Sequence, residues 1–192
     1  RRGLLAQADK NFLHVDEVNL LADEVIDTIL DAAAQGAYTV RRGPIAATYR
    51  SKFVLIGSMN PEEGNLRPQI LDRFGLRIVV HGLTSVNERL EAYRRTASYL
   101  SSPRSLIKAY EDDTKFVKSE IQSARDITGR VVIPEDVSAL GLEIVRLLNI
   151  DSLRAEITLF EAAKAYAAMD GRRKVCSDDI QAVTPMAVRM RR

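Results

Sequence analysis

An apolar run that ends in two carboxylates constrains the fold of this chain more than any other feature. Residues 12–17 read Phe-Leu-His-Val-Asp-Glu. A strand buried on both faces has such a continuous apolar sequence, and a parallel sheet binds ligands at the carboxyl ends of its strands. The run therefore predicts a buried parallel strand with Asp16 and Glu17 at that edge. The alternative is a strand that ends in an ordinary polar turn, since short motifs often match by chance.

The two adjacent carboxylates suit the chemistry of nucleotide hydrolysis. One carboxylate can hold Mg²⁺ through the water shell of the ion, and the next can polarise a water for attack on a γ-phosphate. We assign the first role to Asp16 and the second to Glu17. A second apolar run, residues 53–58, leads to Asn60 before Pro61 stops the strand. If the two strands are parallel neighbours, Asn60 lies beside Glu17 and can orient the attacking water.

Two arginines are candidates for neutralising negative charge on the phosphates. Arg73 lies at the end of a predicted short helix over residues 66–74. An arginine donated across a subunit boundary accelerates phosphoryl transfer by about 10³ to 10⁵. The alternative for Arg73 is an ion pair with Asp72 or with a surface acid. Arg154 lies near the start of a predicted helix, either as a lid arginine that reaches phosphate or as a solvated helix residue.

Hydrophobic periodicity and turn residues predict the elements between and after these motifs. Residues 23–35 have helical spacing that stops at Gly36. The turn Arg42-Gly43-Pro44 predicts a β-hairpin between strands at residues 38–41 and 45–49. The remaining predicted elements are a third strand and five helices, at residues 78–80, 85–100, 105–126, 135–148, 152–169 and 177–190.

The change from mixed elements to helices alone predicts two domains. Residues 1–100 form an α/β part, and residues 101–192 form an all-helical part. Strands and helices in one part followed by helices alone are typical of a sheet-based core with an appended helical domain.

Composition excludes several classes of protein. The single cysteine, Cys176, rules out an internal disulfide framework and a cysteine-rich zinc site. The net charge of +2 is too small to indicate nucleic acid, and the basic runs are interpreted as solvated faces. No apolar run reaches the roughly 20 residues that span a bilayer, so no membrane partner is expected. With no signal peptide at the start, the prediction is a cytoplasmic protein or one in an organelle stroma. His14 is predicted to be a packed core side chain.

The glycine-rich loop that holds phosphates in such hydrolases is missing. None of the 10 glycines is followed by lysine, whereas a P-loop needs that pair to cradle the phosphates. The chain also begins Arg1-Arg2-Gly3, without a methionine. We therefore expect a piece of a longer protein, which alone binds ATP poorly and is inactive.

Four motifs, taken in order along the chain, resemble the AAA+ ATPases and specifically the magnesium chelatase subunit I family. They are Val15-Asp16-Glu17-Val18-Asn19-Leu20-Leu21, Met59-Asn60-Pro61-Glu62-Glu63-Gly64, Leu66-Arg67-Pro68-Gln69-Ile70-Leu71-Asp72-Arg73-Phe74-Gly75-Leu76 and Leu153-Arg154-Ala155-Glu156-Ile157-Thr158-Leu159. The similarity extends over nearly the whole chain, and four ordered motifs are far more specific than one. The resemblance implies part of an AAA+ P-loop-type parallel sheet core, with a β-hairpin insertion, followed by an all-helical lid domain.

The resemblance also implies a role for each candidate residue. Asp16 and Glu17 are similar to the Walker B pair, with Asp16 holding Mg²⁺ through water. Asn60 is similar to the sensor 1 residue, Arg73 to the arginine finger and Arg154 to the sensor 2 residue. The implied cofactors are ATP and Mg²⁺. Because these motifs are intact, the resemblance favours the active motor subunit over its degenerate AAA+ partner.

As a member of this family, the chain would drive Mg²⁺ insertion into protoporphyrin IX, the first committed step of chlorophyll-type biosynthesis. The implied partners are further copies in a homo-oligomeric ring, a hexamer, together with a second AAA+ subunit and a large porphyrin-binding subunit. A photosynthetic eukaryote would place it in the plastid stroma. Four alternatives stay open: a MoxR-like protein-remodelling ATPase, a cobalt-inserting motor, a DNA-translocating relative that uses the Arg41-Arg42 hairpin, and an inactive ring scaffold.

Overall fold

A computed structural model describes residues 3–191 of the chain, and the first two residues and the last lie outside the described part. The chain forms two compact units, Arg1–Phe74 and Gly75–Arg192. The first contains strands and helices, and the described residues of the second form helices joined by loops. The predicted fold class, an α/β part followed by a helical part, is therefore confirmed. The functional boundary placed at residue 100 stays a prediction.

A pair of parallel strands forms the centre of the first unit. β1 (Phe12–Val15) and β4 (Val54–Gly57) are hydrogen-bonded in register, with Val15 opposite Gly57. The pairing confirms two predicted strands and their parallel direction. The polar residues that follow β1 and β4 therefore lie at the same edge of the sheet.

The helix α2 (Asp23–Gln35) covers one face of the strand pair. Its buried residues Ile26 and Leu30 belong to the core of this unit, and the strand residues Val15 and Leu55 pack against that core. The i, i+4 spacing of the two buried residues matches the predicted amphipathic helix. Burial of this apolar face, rather than helix propensity, is what holds the helix on the strands.

A β-hairpin follows α2 without a linker. Gly36 ends the helix with φ of 67°, a left-handed conformation that glycine adopts without steric cost. The strands β2 (Ala37–Arg42) and β3 (Ile45–Arg50) then pair in antiparallel register. The rings of Tyr38 and Tyr49 stack across the pair with centroids 5.6 Å apart. The predicted hairpin and its turn are confirmed.

The prediction that the strands are buried on both faces is wrong. Phe12 is 69% exposed, Val54 56% and Ile56 46%. Successive side chains of a strand point to opposite faces, so the residues that face α2 are covered while those on the other face are not. The continuous apolar run predicts burial of both strand faces, whereas in the structure the face toward α2 is buried and the opposite face is exposed.

Short elements complete the first unit. α1 (Leu4–Gln7) precedes β1, and α3 (Pro68–Leu71) follows β4. The helix predicted over residues 66–74 is thus a single turn, which begins at proline because that residue has no N–H to leave unsatisfied there. Beyond α3, the Phe74 ring approaches β4 so closely that a Cβ on Gly57 would lie 3.2 Å from it.

Six helices make up the described part of the second unit. They are α4 (Val86–Ser101), α5 (Pro103–Ala109), α6 (Glu111–Thr128), α7 (Glu135–Leu147), α8 (Leu153–Met169) and α9 (Ser177–Val188). Within residues 3–191, none of the helices is long and apolar enough to cross a membrane.

The helix α8 is the centre of the second core. Its fully buried side chains recur at every fourth position, at Ala155, Leu159, Ala163 and Ala167. Residues at this spacing lie one above another on a single helix face. Three of the four are alanines, so neighbouring helices can pack close to α8, and buried residues of α6, α7 and α9 belong to the same core.

A buried carboxylate organises the start of α9. Asp179 is 1% exposed and accepts hydrogen bonds from the Cys176 backbone N–H at 2.8 Å and from Arg172 Nη1 at 2.7 Å. The first bond satisfies an N–H at the beginning of the helix, which has no partner within the helix itself. The second supplies the opposite charge that a buried carboxylate requires. Arg172 also pairs with Asp170.

Two predictions for the second unit need correction. Residues 78–80 are not a strand, and Ile78 and Val80 are 69% and 89% exposed. An extended segment becomes a strand only when another strand pairs with its backbone, and local apolar composition does not supply that partner. The helix predicted over residues 105–126 is two helices, α5 and α6, which separate at Tyr110.

Candidate functional site

The turns that follow β1 and β4 are joined to each other by backbone hydrogen bonds. The Ser58 N–H donates to the Val15 carbonyl at 3.0 Å, and the Val18 N–H donates to the Ser58 carbonyl at 2.9 Å. These bonds continue the parallel ladder past the ends of the strands. As a result, Asp16 and Glu17 on one side lie against the segment that leads to Asn60 on the other.

Asp16 is held through one of its two carboxylate oxygens. Oδ1 accepts a hydrogen bond from the Ser58 hydroxyl and a second, at 3.1 Å, from the Glu17 backbone N–H. The Ser58 bond first, and the Glu17 bond second, lower the pKa of Asp16 below its ordinary value. Within the described residues, no donor bonds Oδ2. The carboxylate is therefore ionised, oriented and open on one oxygen.

Glu17 has a backbone conformation that a glutamate rarely adopts. Its φ and ψ are both 48°, in the left-handed region, and its side chain is exposed. Such a conformation costs about 1–2 kcal/mol for a residue with a Cβ. Strain of this kind is found where the surrounding structure fixes a residue for function. Glu17 therefore sits in an enforced turn directly after the metal-ligand candidate.

The side chain of Asn60 is fixed by the turn that it begins. Its Oδ1 accepts a hydrogen bond from the Glu62 N–H at 3.2 Å, which caps the short 3-10 helix Pro61–Glu63. With the oxygen engaged, the NH₂ group is the half of the amide that remains to meet a polar ligand. This arrangement suits the predicted role of Asn60 in orienting a water.

Asn19 ties the two turns together. Its Nδ2 donates to the Gly64 carbonyl at 3.2 Å and to the Asn60 carbonyl at 3.4 Å. Asn19 follows the acidic pair, whereas both acceptors belong to the segment after β4. The bonds therefore fix the loop that carries Asn60 relative to Asp16 and Glu17.

Arg73 is paired with two acids of α2. Its Nη1 lies 2.9 Å from Asp31 Oδ1 and 3.4 Å from Asp27 Oδ1, and its side chain is 33% exposed. The two aspartates are four residues apart, so both lie on one face of the helix. The sequence left open whether Arg73 forms an ion pair with a surface acid, and in the structure it does. Since the side chain is still partly exposed, it remains able to meet a ligand from another molecule.

Arg154 belongs to the second unit, in the first turn of α8. Arg154 is exposed, and the preceding residue, Leu153, is 69% exposed. The predicted sensor role of Arg154 requires the lid to meet the nucleotide and stays a prediction.

The donor set in the first unit fits a magnesium ion held through water. Mg²⁺ prefers carboxylate oxygens and keeps several of its waters, and Asp16 offers one oriented oxygen with Glu17 beside it. No group of three or more His, Cys, Asp or Glu side chains within residues 3–191 forms a direct metal site. No lysine of a P-loop accompanies these residues in the sequence.

Sequence reasoning missed the partners of the site residues and misplaced one histidine. His14 is exposed, rather than packed in the core as predicted, and its Nε2 lies 3.4 Å from Ser58 Oγ. Ser58 and Asn19 were not singled out. Their contacts depend on the register between β1 and β4. To find Ser58 and Asn19 from the sequence, one would first have to predict that register.

Comparisons with known proteins identify relatives of this chain. The AAA lid domain family matches residues 139–192. A magnesium-chelatase subunit ChlI homolog of Methanocaldococcus jannaschii is 42% identical over 99% of this chain and 53% of its own length. The chloroplastic magnesium-chelatase subunit ChlI of Nicotiana tabacum is 40% identical over 98% of this chain and 44% of its own length. The chain spans about half the length of the curated relatives that it matches.

A solved structure shares the fold. A candidate ATPase from Cytophaga hutchinsonii superposes with a TM-score of 0.67 and 24% identity, over 94% of this chain and 58% of that one. The fold shared with that structure and the lid match over residues 139–192 are those of the AAA class of ATPases. Within that class, the chain is a homologue of the magnesium chelatase I subunits along essentially its whole length.

Proposed function

We propose that this chain is the Walker B to lid portion of the AAA+ motor subunit of a magnesium chelatase. The complete protein would couple ATP hydrolysis to the insertion of Mg²⁺ into protoporphyrin IX by a separate large subunit. One observation carries the proposal: Asp16 and Glu17 lie against the Ser58 to Asn60 segment at the carboxyl edge of β1 and β4. Relatives named as magnesium-chelatase subunits, which match 98–99% of this chain, support the chelatase role.

Each site residue has a part in the proposed hydrolysis. Asp16 would bind a water of the nucleotide's Mg²⁺ through Oδ2, and Glu17 would polarise the attacking water. The NH₂ group of Asn60 would hold that water in line with the γ-phosphate. Arg73 would reach the phosphates of a neighbouring subunit, and Arg154 would reach those of its own. Binding Mg²⁺ supplies charge neutralisation on the phosphates.

The proposal includes partners and a compartment. We infer a homo-oligomeric ring, expected to be a hexamer, because Arg73 as an arginine finger would act on the nucleotide of a neighbouring subunit. The second AAA+ subunit and the large porphyrin-binding subunit complete the complex. The protein would act in the cytoplasm, or in the plastid stroma of a photosynthetic eukaryote. Neither nucleic acid nor membrane is a partner.

Residues 1–192 alone would be inactive. They carry carboxylates for the metal and the water but no Gly-Lys pair for the phosphates. The proposal therefore concerns the complete protein, in which another segment supplies the phosphate cradle. The exposed face of β1 and β4, with Phe12, Val54 and Ile56, is consistent with further chain covering it.

Reconstitution of metal insertion tests the proposal. The complete protein that carries this chain would be mixed with the other two chelatase subunits, ATP, Mg²⁺ and protoporphyrin IX, and Mg-porphyrin fluorescence followed. We expect a signal that Glu17→Gln removes and that Glu63→Gln keeps, because Glu63 is an exposed acid of the neighbouring turn. ATP hydrolysis without any Mg-porphyrin would contradict the chelatase role and favour a protein-remodelling or cobalt-inserting motor.

A further inference from the structure

We propose that Ser58 is a positioning residue for Asp16: its hydroxyl fixes Oδ1 so that Oδ2 is presented to the water shell of a nucleotide-bound Mg²⁺. This inference rests on the proposed function, since it assumes that Asp16 meets that ion. Ser58 itself would touch neither the metal nor the nucleotide.

The backbone of Ser58 is held on both sides. Its N–H donates to Val15 and its carbonyl accepts from Val18, at 3.0 Å and 2.9 Å. Val15 and Val18 flank the acidic pair, so the same bonds that fix Ser58 also fix the turn that carries Asp16. The hydroxyl therefore projects from a rigid position onto a carboxylate with little freedom to move away from it.

Counting protons gives the direction of each bond around the hydroxyl. Ser58 has one hydroxyl proton, and the ionised Asp16 has none, so Ser58 donates to Oδ1. Because this proton is directed to Asp16, the Ser58 hydroxyl oxygen is left to accept a hydrogen bond, and His14 Nε2 lies 3.4 Å from that oxygen. The Ser58 hydroxyl is thus in contact with both the His14 imidazole and the Asp16 carboxylate. These hydrogen bonds leave Oδ2 of Asp16 without a donor within the described residues.

The two oxygens of Asp16 therefore have different tasks. Oδ1 accepts two hydrogen bonds, from Ser58 and from the Glu17 backbone, while no donor bonds Oδ2 within the described residues. Mg²⁺ demands a near-ideal octahedral shell, and a carboxylate that rotates freely meets that demand less often. Outer partners of this kind typically change metal affinity by about 10- to 100-fold.

The experiment measures how much Mg²⁺ strengthens nucleotide binding, independently of hydrolysis. A fluorescent ATP analogue would be titrated into the complete protein with Mg²⁺ and, separately, with EDTA. For Ser58→Ala we expect the strengthening by Mg²⁺ to fall about 10-fold, with binding in EDTA unchanged. Ser58→Thr, which keeps a hydroxyl at the same position, should behave like the wild type.

Asp16→Asn separates the failure of this inference from failure of the proposed function. If Asp16→Asn loses the strengthening by Mg²⁺ while Ser58→Ala keeps it, Ser58 does not position the carboxylate, and the metal role of Asp16 stands. If Asp16→Asn also keeps it, the proposed metal site itself is wrong. If Ser58→Ala does not fold, or loses binding equally in EDTA, the hydroxyl has a structural role and the inference is overturned.

Discussion

Replacement of Asp179 by asparagine tests how the second unit is held together. The carboxylate is 1% exposed and accepts bonds from Arg172 and from the Cys176 N–H. The Arg172 bond, as the largest cause, lowers the pKa of Asp179 from 3.8 to about 2. That difference corresponds to about 2 kcal/mol of stability at neutral pH. Asparagine has nearly the same shape but no charge, and its NH₂ group would replace the oxygen that accepts from Arg172 Nη2. We therefore expect Asp179→Asn to cost at least this much.

Two features limit the cost beyond this value. Asparagine still offers an oxygen to the Cys176 N–H, so the start of α9 stays capped. Arg172 keeps Asp170 as a partner, 2.9 Å away, so its charge is not left alone. Removal of one member of a buried pair otherwise costs about 3–5 kcal/mol. A much larger loss would therefore mean that Asp170 does not compensate.

The pH dependence gives a second, independent check of the sign. A carboxyl with a lowered folded-state pKa stabilises the protein above its unfolded-state pKa and loses that effect as the pH falls through the folded-state value. With 3.8 and about 2 as the two values, the advantage of the wild type over Asp179→Asn is complete above about pH 5. It falls to about 1 kcal/mol near pH 3 and disappears below about pH 2.

Urea unfolding followed by circular dichroism, at several pH values between 7 and 3, measures this advantage. Asp178→Asn is the matched control, because Asp178 is exposed in the same first turn of α9. We expect the control to change the unfolding free energy by under about 1 kcal/mol. If Asp179→Asn lowers the unfolding free energy by the same amount at every pH from 7 to 3, the loss does not come from the charge of Asp179. That result would refute the proposed role of the charge.

Three further outcomes follow from the first unit. Glu17→Gly should raise the unfolding free energy by about 1 kcal/mol, because glycine adopts φ of 48° without strain. The same variant should abolish ATP hydrolysis. If a urea titration shows a loss of stability instead, Glu17 is not strained in the wild type. Arg73→Ala in the complete protein should abolish ATP hydrolysis with little loss of ATP binding, and surviving hydrolysis would exclude the finger role. Asn19→Ala should destabilise by about 1–2 kcal/mol, read by thermal unfolding against the control Asn11→Ala.

Elements with a local signal were predictable from the sequence. The helix α2 follows from apolar residues at helical spacing and a glycine that ends it, and the hairpin follows from its Gly-Pro turn. The parallel pairing of β1 with β4 follows from two apolar runs that both end in polar residues. For α2 and the hairpin, the residues that determine the structure are neighbours in sequence.

Features that depend on distant partners were not predictable. Residues 78–80 have a strand-like composition, yet a strand needs a second backbone that composition does not reveal. The Ser58 contact with Asp16 spans 42 positions, and it exists only because of the register between two strands. The acid pair that holds Arg73 comes from α2, and from the sequence an ion pair and an open side chain were both compatible with Arg73.

The rate of ATP hydrolysis by the complete protein, measured for the wild type, Glu17→Gln and Glu63→Gln, tests the central claim most directly. The account predicts that Glu17→Gln binds ATP as tightly as the wild type but no longer hydrolyses it, while Glu63→Gln does both. Unchanged hydrolysis by Glu17→Gln would contradict the assignment of the acidic turn after β1 as the catalytic centre.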